Sequence, residues 1–161
     1  MYKILFFHNP DEPFAFLSNW YHSTFRINGV TYSSMEQYMM HSKALLFGDS
    51  KIAAAIMQTD DFGKIKALGR AVAGYDDIIW NGMRQVVVYD GLCAKFTQNE
   101  DLRRQLLETG DAILAEAAVQ DTIWGIGLSM HDERRFDMSK WRGQNLLGFA
   151  LMQTREKLKL Q

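Results

Sequence analysis

The pair Asn28-Gly29 is the tightest local constraint in the chain. It favours a two-residue type I′ turn, whose central residues both need positive φ. Phe25, Ile27, Val30 and Tyr32 flank it with the pattern of paired strands, so a β-hairpin is expected over Thr24–Tyr32. A helix should follow at once. Ser33 stands three residues before Glu36 and Ser34 three before Gln37, and either pair fits a capping box. Met35, Tyr38, Met39, Ser42, Leu45 and Leu46 then share one helical stripe, with Gly48 as its stop.

The same reasoning covers the rest of the chain. Met1–Phe7 is an apolar run of strand length, and His8–Ser18 holds both prolines and reads as a loop. Short helices are expected over Lys51–Gln58 and Phe62–Leu68, the second ended by Gly69. A long helix should run from Asp77 to Phe96, although Val86-Val87-Val88 disfavours it locally. Asn99 starts another through Leu107, and Leu146–Leu158 forms the last. Ile113–Ala118 fits a strand or a helical turn, and Ser129–Gln144 is a charged loop. No repeat or linker divides the 161 residues. The expected architecture is one α+β domain over residues 1–161, mostly helical with a small antiparallel sheet.

Composition removes several classes of function. A formal net charge of −1 excludes a strongly basic footprint for duplex DNA. The lone Cys93 excludes an internal disulfide and a cysteine-cluster zinc site, and fits a reducing, cytoplasmic setting. No apolar run approaches the ~18 residues of a membrane helix, and the first ten residues lack the features of a signal peptide. There is no phosphate loop, and Gly125-Ile126-Gly127 is too short for a dinucleotide fingerprint. The four histidines show no HxxxH spacing, and no serine or cysteine sits in a nucleophile motif. No metal and no organic cofactor is expected.

What remains is a constellation of polar and aromatic residues. Glu36, Met40 and Lys43 are spaced i, i+4, i+7, which sets a carboxylate and an amine on one side of a helix about two turns apart. On spacing alone, a helix cap at Glu36 and a solvated Lys43 are the stronger reading. Trp80 stands near the start of the long helix. Trp124 lies between Asp121 and the glycines Gly125 and Gly127, as suits a loop that stacks on a planar ligand. Core packing is the other reading of each tryptophan. Arg70 can hold a phosphate or offset a helix dipole. Asn145 reads as a helix N-cap and Asn19 as a turn residue.

Seven segments in order carry a family resemblance. They are Phe16-Leu-Ser-Asn19-Trp20, Ser34-Met-Glu36-Gln-Tyr38 leading to Lys43-Ala44, Leu68-Gly69-Arg70, Trp80, Lys95-Phe96, Asp121-Thr-Ile-Trp124-Gly125-Ile-Gly127-Leu, and Asn145-Leu-Leu-Gly148. Together they span about residues 14–158, and the chain resembles the NADAR family, also called YbiA-like N-glycosidases. The resemblance implies catalysis at Glu36, Trp80 and Asp121, a part for Lys43 in the chemistry, and substrate contacts at Asn19, Arg70, Trp124, Gly125, Gly127 and Asn145. Two departures are visible. Asp60-Asp-Phe-Gly63 stands where many members carry a proline, and Ile126 where some carry an acid.

The resemblance also implies the substrates. One kind is the ribosylaminopyrimidine phosphates of riboflavin synthesis; the other is ADP-ribose attached to guanine in DNA or RNA. Both hold ribose through the exocyclic amine of a 2-amino-4-oxopyrimidine face, a linkage that can open its sugar ring to an imine. Two routes follow. In one, a carboxylate stabilises an oxocarbenium-like transition state while an acid protonates the leaving amine. In the other, Lys43 attacks C1 of the opened sugar, and water hydrolyses the resulting Schiff base. A non-catalytic module that binds ADP-ribose or a nucleotide is a further reading, which would need neither Glu36 nor Lys43. So is an interaction protein that only reuses the fold. Arg134, Arg135, Lys140 and Arg142 fit either a nucleic-acid groove or a solvated loop.

Overall fold

The computed structural model describes residues 2–161. In chain order the regular elements are β1 (Ile4–Phe7), β2 (His22–Ile27), β3 (Val30–Ser34), α1 (Met35–Leu46), α2 (Ser50–Ile56), α3 (Phe62–Arg70), α4 (Asp77–Gln98), α5 (Glu100–Glu108), β4 (Ile113–Glu116) and α6 (Leu146–Lys159). They form two compact units, His22–Asn99 and Met1–Tyr21 with Glu100–Gln161. Among the described residues, no helix is long and apolar enough to cross a membrane.

The first is the hairpin unit. β2 and β3 pair antiparallel, with Phe25 opposite Tyr32 and Ile27 opposite Val30. Asn28 and Gly29 take φ of 50° and 82°, as a type I′ turn demands. The side-chain amide of Gln98, at the end of α4, donates to the Arg26 carbonyl and accepts from the Arg26 N–H, both at 2.8 Å. This satisfies backbone groups of β2 that a free strand edge would leave open. Phe25 and Tyr32 are buried, and the Tyr38 ring of α1 meets Tyr32 edge-on at 5.0 Å. The capping box of α1 belongs to Ser34 and Gln37: Ser34 Oγ accepts from the Gln37 N–H, and Gln37 Oε1 accepts from the Ser33 N–H.

Packing upholds one expectation in this unit and revises another. α4 runs unbroken through Val86–Val88, because Val88, Leu92 and Phe96 recur at i, i+4, i+8 and are fully buried. That burial outweighs the modest helix cost of β-branched residues. α3 does not stop at Gly69 but continues to Arg70. Gly69 faces α1, where a Cβ would collide with the Met40 side chain, so its role is close approach and not termination.

The second is the parallel-strand unit. β1 and β4 pair in parallel, Ile4 opposite Ile113 through Phe7 opposite Glu116. Within the Ile113–Ala118 run, Ile113–Glu116 thus resolves as a strand, and among the described residues the strands form two separate two-stranded sheets, one parallel and one antiparallel, instead of a single antiparallel sheet. Phe6, Ala115, Ala117, Ile126 and Leu128 form a buried cluster, with Ile4, Met130 and Trp141 packed on it. α6 packs against β4 and buries Leu147, Leu151 and Leu158. Its buried Arg155 donates through Nη1 to Thr109 Oγ1 at 2.8 Å and the Ala112 carbonyl at 2.9 Å. The charged segment before α6 holds two 3-10 turns, Glu133–Phe136 and Met138–Lys140.

Candidate active site

In the hairpin unit, three predicted site residues, Glu36, Arg70 and Trp80, bear on the amine of a fourth, Lys43. Lys43 lies on α1 near its C-terminal end and is partly buried. Its Nζ donates to the Gly69 carbonyl at 2.8 Å, stands 4.4 Å from the centre of the Tyr75 ring, and lies 5.8 Å from that of Trp80. Trp80, in the first turn of α4, is buried, so it walls the amine while also packing in the core. Arg70 ends α3 and is exposed. Burial pushes the Lys43 amine below the usual lysine range, and the Arg70 charge pushes the same way; Asp77 and Glu36 pull against them.

Glu36 is held in the first turn of α1, buried to 5% exposure. The cap that its spacing allowed is made by Ser34 and Gln37 instead. Its charge is felt at Lys43, so carboxylate and amine belong to one electrostatic cluster. A polar groove of about 530 Å³ elsewhere in this unit is lined by residues including Tyr32, Ser33, Gln37, Thr59 and Asp60, and holds none of these four. Gln37 lies about 100° round α1 from Glu36, so that groove opens on a different face of the helix.

The remaining predicted residues belong to the parallel-strand unit. Asp121 Oδ1 accepts from the Ile123 and Trp124 N–H groups at 3.0 and 2.7 Å, folding the loop over its own carboxylate. Trp124 is partly buried, and Gly125 and Gly127 are buried. Gly127 has φ 69° and Gly125 packs against the Glu116 carbonyl, where a Cβ would stand at 2.9 Å. Asn145 occupies the N-cap position of α6 in the left-handed region, φ 52°, but its side chain does not cap that helix. It is fully buried, donating to the Leu114 carbonyl at 2.9 Å and accepting from the Glu116 N–H at 3.1 Å. Asn145 therefore locks the loop before α6 to β4, and its amide is already occupied. Near the N-terminal loop, the turn is made by Ser18, whose Oγ accepts from the Trp20 N–H at 3.0 Å. Asn19 is buried, and among the described residues its Oδ1 has no hydrogen-bond partner.

The basic loop turns much of its charge on itself. Arg134 pairs with Asp132 at 2.6 Å, Lys140 with Asp137 at 3.3 Å and Arg135 with Glu133 at 3.7 Å. The Arg135 guanidinium also lies over Phe136 and Phe6 at 4.1 and 5.3 Å. Such internal pairing suits the solvated-loop reading more than a phosphate groove.

Sequence reasoning missed Tyr75 and Asp77. Tyr75 sits between α3 and α4, and its ring reaches Lys43 only through the fold. The one signal was an aromatic residue between Gly74 and the acidic pair Asp76-Asp77.

Residues 5–159 match the NADAR domain family. The chain is 42% identical to an N-glycosidase of Acanthamoeba polyphaga mimivirus, over 96% of this chain and 95% of the relative. It is 27% identical to N-glycosidase YbiA of Escherichia coli, over 98% of this chain and 90% of YbiA. The solved YbiA structure superposes with a TM-score of 0.81 over 98% of this chain and 86% of that one. A riboflavin biosynthesis protein of Vibrio vulnificus is 31% identical across 98% of this chain, which spans 39% of that longer protein. The chain belongs to the NADAR family. The class expected from the sequence, an N-glycosidase enzyme with a mostly helical α+β fold, is the class these relatives define.

Proposed function

We propose that this enzyme hydrolyses the C–N bond between ribose phosphate and the exocyclic amine of a 2-amino-4-oxopyrimidine base, acting on the ribosylaminopyrimidine phosphates of riboflavin biosynthesis in the cytoplasm. The observation that carries the reading is Lys43: an amine held by a carbonyl, faced by two aromatic rings and shifted toward its neutral form. A neutral amine is a nucleophile, and an exocyclic N-glycoside that opens to an imine offers it an electrophilic C1. Lys43 Nζ adds to C1, a proton passes to the leaving nitrogen, and the base departs as the free amine. Water then adds to the Lys43–C1 imine and frees the sugar phosphate. Glu36 carries the protons in both halves. Trp80 walls the base, and Arg70 binds the phosphate. For Asp121, Trp124 and Asn19, which lie in the other unit, the family resemblance alone supports a substrate role.

The Vibrio relative's name and the self-paired basic loop both favour the small phosphate over ADP-ribosylated guanine in DNA or RNA. The test sets the two substrates side by side, with released base read by mass spectrometry. Faster release from the ribosylaminopyrimidine phosphate is expected. Preferential release from the oligonucleotide assigns the other substrate, and binding without release from either assigns a non-catalytic module.

A further inference from the structure

We propose that Tyr75 is a positioning residue for Lys43: its ring docks the ammonium form of the side chain and lets the neutral amine go. The inference rests on the reading of Lys43 as the reacting amine.

The geometry is a built cradle and not a chance approach. Lys43 Nζ stands 4.4 Å from the Tyr75 ring centre, inside the ~6 Å reach of a cation–π contact, while its hydrogen bond to the Gly69 carbonyl fixes the direction. The ring itself is held. Phe47 meets it edge-on at 5.4 Å and 63°, and burial, followed by the neighbouring Asp77, raises the phenol above its usual range. Tyr75 is 42% exposed, more than a packing role requires.

A ring quadrupole attracts a cation and has little hold on a neutral amine. Protonated Lys43 is therefore parked on Tyr75, with its lone pair tied up in the third N–H bond. When the ammonium gives its proton to water, the lone pair returns and the ring's attraction ends. The carbonyl bond alone then restrains a four-carbon stem that can swing to a substrate carbon. The charged groups that bear on Lys43 come from three elements: Glu36 of α1, Arg70 of α3 and Asp77 of α4. The ring adds to the two carboxylates in favouring the ammonium, against burial and Arg70. Tyr75 thus sets how much of the enzyme has its amine free at a given pH.

The test reads Lys43 without substrate. The protein is labelled with a small amine-acylating reagent across a pH series, and modification at Lys43 is quantified by mass spectrometry. Tyr75→Leu should move the labelling midpoint down by about half a pH unit, or about threefold faster labelling below the midpoint. Tyr75→Phe keeps the ring and should leave the midpoint close to wild type. Should the leucine variant melt early, Tyr75→Met carries the same expectation. An unmoved midpoint in the variant lacking the ring overturns the proposal. So does an equal shift in Tyr75→Phe, which would hand the effect to the phenol and Asp77. Because no turnover is measured, this outcome is separate from whether Lys43 ever forms a covalent intermediate.

Discussion

The two units use their predicted and buried polar side chains differently. In the parallel-strand unit three of them are taken up by local structure: buried Asn145 bonds to β4, buried Arg155 holds the Thr109 hydroxyl and the Ala112 carbonyl, and the partly buried Asp121 folds its own loop. In the hairpin unit the predicted residues bear on one another. Lys43 is displaced from its usual range by burial and Arg70 and opposed by Asp77 and Glu36. A buried group bonded to backbone contributes rigidity, whereas a cluster of competing charges contributes reactivity. Family motifs run through both units, so motif membership alone does not separate chemistry from scaffold.

The sharpest way to break this contrast is Glu36→Gln. The cap of α1 does not depend on Glu36, so the fold should persist. Loss of one positioned proton carrier typically costs 10²–10⁴-fold, or about 3–5 kcal/mol in the barrier. Turnover at the wild-type rate would remove Glu36 from the site.

Asn145→Ala should give the opposite pattern. It strips partners from a buried carbonyl and a buried N–H of β4, and it places alanine at positive φ. A stability loss of about 2–4 kcal/mol is expected by denaturant unfolding, with kcat nearly kept below the transition. A kcat loss without a stability loss would move Asn145 from scaffold to chemistry.

A smaller effect comes from Lys95, which α4 buries completely and burial alone holds at about 7. The unfolded chain keeps its lysine near the ordinary value. Between about pH 7 and that value the unfolded state therefore binds more protons, so stability rises with pH. The slope is at most about 1.4 kcal/mol per pH unit. The melting temperature should climb from pH 7 to 9, and Lys95→Met should flatten the climb. Parallel curves for the two proteins would contradict a neutral buried Lys95.

These particulars show where sequence was legible. The hairpin and the start of α1 were, because Asn28-Gly29 and the Ser34/Gln37 spacing act within a few residues. The placing of Glu36 and Lys43 on one helix was too, since helical periodicity sets it. The parallel pairing of β1 with β4 was not, because two short apolar runs far apart in sequence carry no mark of their register. Gly69 looked like a helix stop only until Met40 packed against it, and Asn145 like a cap only until β4 claimed both ends of its amide. Tyr75 stayed hidden because its importance is a distance to Lys43, which no local pattern encodes.

The central claim is that Lys43 is the reacting amine, and borohydride trapping during turnover tests it most directly. Reduction of a Lys43–C1 imine leaves a stable secondary amine, visible by intact mass and localised by peptide mapping. A ribose-phosphate-sized adduct on Lys43, absent from Lys43→Arg, is the predicted result. No adduct together with an active Lys43→Arg variant would contradict the account and leave the oxocarbenium route, with Lys43 as a charge partner only.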